Sequence, residues 1–182
     1  MSRKATISKQ EIIDAAFRIT MEEGFDKITS RGLAQAAGCS TQPIFRVYEN
    51  MEALKKDVYA RSATFYADYY ADFEKTNATP FVDLGMAYIT FARSYPHLFR
   101  LLFLAEQSED KRSMYDLVNG EADAVAKEAA RAKEQGCSNP NRLFMQMWIF
   151  IHGAACMAVT GDYDLGDTES IALLETCYKD FA

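Results

Sequence analysis

Apolar residues along this 182-residue chain recur three and four positions apart and rarely alternate, the periodicity of one-sided helices and not of strands. Ile12, Ala15, Ala16 and Ile19 mark a first helix. Ser8 and Glu11 stand before it at capping-box spacing, with Ile7 and Ile12 placed as a hydrophobic staple, and Gly24 closes it. A short second helix follows Thr29, carries Leu33, Ala34 and Ala37, and stops at Gly38. Ser40 is placed to cap a third, with Pro43 in the first turn, where its missing N–H is tolerated. Asn50 caps a long fourth helix reaching about Lys75. Thr79-Pro80 reads as a cap followed by proline at the first helical position, opening a helix over 81–94.

Pro96 then sets off a short apolar segment ending at Leu104. A polar run, 106–112, leads into a helix that ends near Gln135-Gly136. Asn139-Pro140 opens a strongly apolar helix ending at Gly161, and a last helix starts at Asp167 or Thr168. The pattern predicts an all-α chain of about nine helices. A three-helix unit occupies residues 1–52 and a larger helical unit residues 53–182.

Composition sharpens this picture. Hydrophobic residues make up 49% of the chain while Gly (9) and Pro (4) are few, so long helices with a buried core are expected. No apolar signal stretch opens the sequence, and the expected location is cytoplasmic. Residues 143–159 approach the length of a membrane span. They are interrupted by Gln146, His152 and Gly153, which favours a buried helix and no membrane association. Cys39, Cys137, Cys156 and Cys177 are scattered without a C-x-x-C pair, as reduced thiols are. With only His97 and His152 besides, no metal site or cofactor is expected. Asp162, Asp164 and Asp167 fail the calcium-loop pattern, because Gly166 and Asp167 stand where a ligand and then Gly are needed. No triad, carboxylate pair or phosphate loop points to an enzyme.

A net charge of −6 argues against nucleic acid until the chain is divided. Residues 1–56 hold nine Lys/Arg against seven Asp/Glu, net +2, and the remainder eleven against nineteen, net −8. A mildly basic head on an acidic body has the sign needed for DNA. The head also carries the right geometry: two short helices joined by Gly38-Cys39-Ser40. Gly allows a left-handed turn, Cys39 plugs the space between the helices, and Ser40 starts the second. Thr41, Gln42 and Pro43 would meet base edges in the major groove, Gln pairing with adenine and Thr or Pro touching a thymine methyl. Arg46 lies one turn on. Thr29, Arg31, Phe45, Tyr48 and Lys55 are placed for the DNA backbone, and Arg3 and Lys4 form a short basic arm.

Ala15-Ala16, Gly24-Phe25, Thr29-x-Arg31-x-Leu33-Ala34, Ala37-Gly38-x-Ser40, Phe45 with Tyr48, and Glu52-x-Leu54 together resemble the DNA-binding domain of the tetracycline-repressor (TetR) family. The resemblance implies a dimeric transcription regulator, by family default a repressor of palindromic operators released by a small molecule. Two positions depart from the family's pattern: Phe45 stands where Tyr is usual, and Met51 where Lys is usual. Losing the charged contact should lower the salt slope of binding by about one per subunit. Trp148, His152 and Gly153, with Pro96-His97-Leu98-Phe99, resemble a C-terminal domain type named for its Trp-His-Gly signature.

The helix after Asn139 is apolar nearly all round and must be covered on more than one side. With the last helix it is the candidate dimer surface, through Ile151, His152, Ala155, Leu173 and Leu174, an arrangement the resemblance also implies. His152, one turn from Trp148, reads as a histidine bonded to backbone at that seam, and Gly153 as a point of close helix approach. Tyr66, Tyr69, Met86, Phe91, Phe103, Tyr115, Phe144, Met147 and Trp148 are candidates for an effector pocket, although such residues at helical spacing are more often plain core. Two alternatives stay open: a regulator whose body only dimerises, and an adaptor with weakened DNA binding.

Overall fold

The computed structural model describes residues 7–105 and 124–182. Arg3, Lys4, Tyr115 and the polar run 106–112 lie outside them. Nine α-helices occur among the described residues: α1 (Lys9–Glu22), α2 (Ser30–Ala36), α3 (Thr41–Val47), α4 (Met51–Asp72), α5 (Val82–Ser94), α6 (Pro96–Phe99), α7 (Ala124–Glu134), α8 (Pro140–Thr160) and α9 (Asp167–Phe181). A 3-10 turn, Phe25–Lys27, follows α1, and α6 runs into a π-helical stretch, Arg100–Leu104. The described residues form two compact units, residues 7–66 with 95–105 and residues 67–94 with 124–182. The first unit thus extends beyond residue 52, because Leu54 and Val58 of α4 share the core of the N-terminal helices.

That first core joins Ile12, Ala15, Ala16 and Ile19 of α1 to Ile28, Leu33, Ala34, Ile44 and Tyr48. Local signals set its boundaries. Ser8 Oγ accepts the Glu11 N–H at 3.2 Å while Glu11 takes the Ser8 N–H at 2.7 Å, so the capping box is complete. These bonds to Ser8 hold the Glu11 carboxyl below its usual range. Asn50 Oδ1 accepts the Ala53 N–H at 2.9 Å, and Asn139 Oδ1 the Arg142 N–H at 3.1 Å. The end of α4 comes earlier than Lys75. The Lys75 ammonium instead folds back onto the Tyr70 and Phe73 carbonyls, at 2.9 and 3.1 Å, satisfying acceptors that helix termination leaves open.

The second unit is built around α5. From Pro80 to Ile89 every residue is buried, and α8 and α9 pack against this helix and each other. Among the described residues α8 is the one helix long and apolar enough to cross a membrane, and its inward side (Leu143, Phe144, Met147, Trp148, Ile151, Ala154, Ala155) is buried in this unit. The start of α5 differs from expectation. Thr79-Pro80 does not cap it; the helix begins at Val82, and Phe81 sits at a left-handed φ of 65° with its N–H donated to Glu128 Oε2 at 2.7 Å. A carboxylate 47 residues away overrides the local signal. Arg93 anchors the far end, donating to Asp167 Oδ1 at 2.8 Å and to the Leu165 carbonyl at 2.6 Å. All four cysteines are free thiols.

At Gly85 the three helices approach closely. A Cβ there would lie 3.0 Å from Ile151 Cδ1 and 3.1 Å from Leu174 Cδ1. Gly85→Val should therefore destabilise the protein by about 2–3 kcal/mol through overpacking, read as a lower urea midpoint at unchanged slope. An unchanged midpoint would show that α8 and α9 can move apart freely.

Candidate nucleic-acid interface

The two reading helices meet through a turn that uses its glycine as the sequence requires. Gly38 takes φ of 64°, its N–H bonding to the Gln35 carbonyl at 3.1 Å, and the Cys39 N–H reaches back to Ala34 at 2.9 Å. These paired bonds form a Schellman ending to α2, and Cys39 packs against the first core as expected. Thr29 Oγ1 accepts the Gly32 N–H at 3.1 Å and so caps α2. Ser40 occupies the N-cap position of α3, but its side chain makes no cap hydrogen bond, a departure from the expected cap.

Helix α3 buries one residue, Ile44. Gln42, Phe45 and Arg46, spaced three and four apart, share an outward face, with Thr41 and Pro43 half-buried beside it. Phe45 is 48% exposed, so its ring is presented to solvent and is not packed into the core. Arg31 and Arg46 are exposed and form no ion pair among the described residues. Lys55 is half-buried and pairs with Glu52 at 3.5 Å, its ammonium 5.9 Å from the Phe25 ring centre.

Tyr48, expected to face the DNA backbone, is held inside the head. It is buried, and its hydroxyl donates to Asp57 Oδ2 at 2.9 Å, while Lys9 Nζ approaches the same carboxylate at 2.7 Å and lies 5.3 Å above the Tyr48 ring. Burial, reinforced by the Asp57 carboxylate, raises the Tyr48 pKa and keeps the hydroxyl neutral. The hydroxyl is engaged inside the head, tying the exit of α3 to α4 and the start of α1. Lys9 and Asp57 are residues the sequence pattern did not single out. The near-invisible signal was a cation and an acid on neighbouring helices, without a fixed spacing.

Two family models match the chain: the bacterial regulatory proteins of the tetR family over residues 12–58, and the tetracyclin repressor-like C-terminal domain over residues 81–181. The chain belongs to the TetR family. It is a DNA-binding transcription regulator, and the family and fold are those of regulators, not enzymes. Among solved structures, a protein of Vibrio parahaemolyticus assigned to the TetR regulators is 18% identical with a TM-score of 0.66, covering 93% of this chain and 96% of that one. A TetR-like regulator from Rhodococcus sp. RHA1 is 13% identical with a TM-score of 0.63, covering 98% and 96%. At these identities they agree in fold. No curated protein matches in sequence.

The effector candidates of this TetR chain divide between the two units. Tyr66 meets Phe103 edge-on at 5.1 Å in the first. In the second, Tyr69 meets Phe91 at 5.2 Å, and Phe81, Phe144, Trp148 and Tyr88 form a continuous ring ladder, with Met86 and Met147 buried nearby. His152 extends that ladder, its Nδ1 3.0 Å from the Tyr88 hydroxyl and Nε2 3.5 Å from Cys156 Sγ. Both of these contacts are to side chains. Of the dimer candidates, Ile151, Ala155 and Leu174 are buried within their own chain and offer no surface, whereas His152 and Leu173 are half-buried. Gly153 faces open space within the chain, so it makes no close helix approach there.

Two measurements check the head. Tyr48→Phe should cost about 1 kcal/mol of stability and leave the salt slope of DNA binding unchanged, while Arg31→Ala should lower that slope by about one per subunit. A reduced slope in Tyr48→Phe would place the hydroxyl on a phosphate after all. Lys9 and then Tyr48 hold the Asp57 carboxyl below its usual range against the opposing effect of burial. The stability this supplies is present above about pH 4, the unfolded value, and fades as pH falls through the lowered folded one. Asp57→Asn should flatten that acid limb of the urea midpoint.

Proposed function

We propose that the chain acts as a cytoplasmic homodimeric repressor that holds a palindromic operator and releases it when a small molecule occupies the second unit. The observation that carries the DNA part is the outward face of α3, where Gln42, Phe45 and Arg46 project from a helix whose one buried residue is Ile44. Thr41, Gln42 and Pro43 read base edges. Thr29, Arg31, Ser40 and Lys55 lie towards the backbone, and the exposed ring of Phe45 covers sugar or a thymine methyl. With Met51 in place of the usual lysine, affinity leans on Arg31, Arg46 and the paired heads of a dimer. Four free thiols suit a reducing compartment.

The dimer face shifts to the residues of α8 that the subunit leaves uncovered. Met145, Ile149 and Met157 are 53%, 69% and 47% exposed and follow one another, with Gly153 between, at four-residue steps. An exposed apolar stripe of this length on a soluble monomer calls for a cover, and a two-fold partner supplies it with the same stripe. The close packing of the Phe81–Phe144–Trp148–Tyr88 ladder also suits a second reading, in which the body only dimerises.

In vitro selection of bound DNA followed by salt titration tests the operator: a palindrome should enrich, and no enrichment over random DNA would sink the reading. Ile149→Glu should give a folded monomer in sedimentation velocity, whereas a persisting dimer would move the interface elsewhere. Operator release rates across a panel of small apolar and aromatic compounds separate the two readings of the body, since acceleration by any one of them requires an effector.

A further inference from the structure

The connection between α4 and α5 is held by one edge of α7. Glu128, Arg131 and Gln135 share that edge by their spacing, and all three engage the backbone of residues 77–81. Arg131 Nη2 donates to the Asn77 and Ala78 carbonyls at 2.9 and 2.8 Å, Gln135 Nε2 donates to Ala78 at 3.1 Å, and Glu128 Oε2 accepts the Phe81 N–H at 2.7 Å. Arg131 Nη1 also spans both Glu128 oxygens, at 2.8 and 2.9 Å. Buried Asp83 takes the Asn77 N–H at 3.0 Å and its side-chain amide. Burial, with Glu128 and Asp83 nearby, pushes the Tyr70 hydroxyl up to about 12, so it stays neutral beside these acids.

What this edge holds is strained, and the holder has a thin apolar face. Phe81 is the one non-glycine residue at positive φ among those described, a conformation that a side chain adopts only where its surroundings impose it. Helix α7 buries just Val125 and Ala132 of its eleven residues. A helix with so thin an apolar face belongs to the least stable end of a fold. We propose that α7 is a releasable strap. Docked, it holds Phe81 left-handed and starts α5 at Val82; undocked, it lets Phe81 relax and the first turn of α5 rebuild. The second unit then has two states, and a ligand that prefers one position of α7 shifts their populations. That last step rests on the regulator reading above, while the strap itself is tested without DNA.

Hydrogen exchange of the full chain, followed by mass spectrometry, reads the first part. Arg131→Ala should speed exchange in 77–84 and in α7 together, by at least about tenfold, with residues 147–155 still protected and Arg131→Lys in between. Faster exchange in α7 alone, or in neither segment, overturns the strap. A Phe81 pair keeps the test valid if Arg131→Ala loosens the whole unit. Both Phe81→Gly and Phe81→Ala lose the ring, so their difference reports the backbone. Glycine should be the more stable by about tenfold in the unfolding constant, the reverse of the usual order within a helix. Adding Arg131→Ala should cut that advantage to less than about twofold. A glycine variant no better than the alanine one, or an advantage undiminished without Arg131, overturns the proposal.

Discussion

Burial of every residue from Pro80 to Ile89 is the constraint on which the second unit depends. A helix with no solvent face through its first half must be enclosed, and Gly85 leaves room for Ile151 of α8 and Leu174 of α9 to close in on it. The same demand turns the inward side of α8 towards its own chain. What remains of that apolar helix, Met145, Ile149 and Met157, is then left on the surface. One packing requirement thus produces both the core and the uncovered stripe assigned to a second subunit.

Features governed by neighbours in sequence were legible without a structure. The Ser8–Glu11 box, the Asn50 and Asn139 caps and the left-handed Gly38 each depend on residues within one helical turn. Features governed by distant partners were not. Thr79-Pro80 carries a good local cap signal, yet Glu128 claims the backbone beside it. Lys75 looked like the last residue of α4 and instead closes its end. Tyr48 sat where a phosphate contact belongs, and Asp57, nine residues on, occupies its hydroxyl.

Three of the five dimer candidates turned out to be buried for a related reason. Periodicity identifies an apolar face, but α8 is apolar nearly all round, and nothing in its spacing says which side the subunit itself will use. Ile151, Ala155 and Leu174 were chosen from the inward half. The outward side was discernible only once α5 had taken its place. The effector candidates were recognisable as large and apolar, which is all that residue type can say about rings divided between two units.

Helix α3 hangs on a single buried residue, Ile44, while Tyr48, Asp57 and Lys9 fix its exit from behind. The outward positions on either side are therefore decoupled from the stability of the head. Substitutions at Gln42, Phe45 or Arg46 alter the exposed face without removing a buried contact. With that face as the proposed reader, such a head would acquire a new operator in single steps, each through a folded intermediate, and its divergence from relatives would concentrate there while the anchor stays constant.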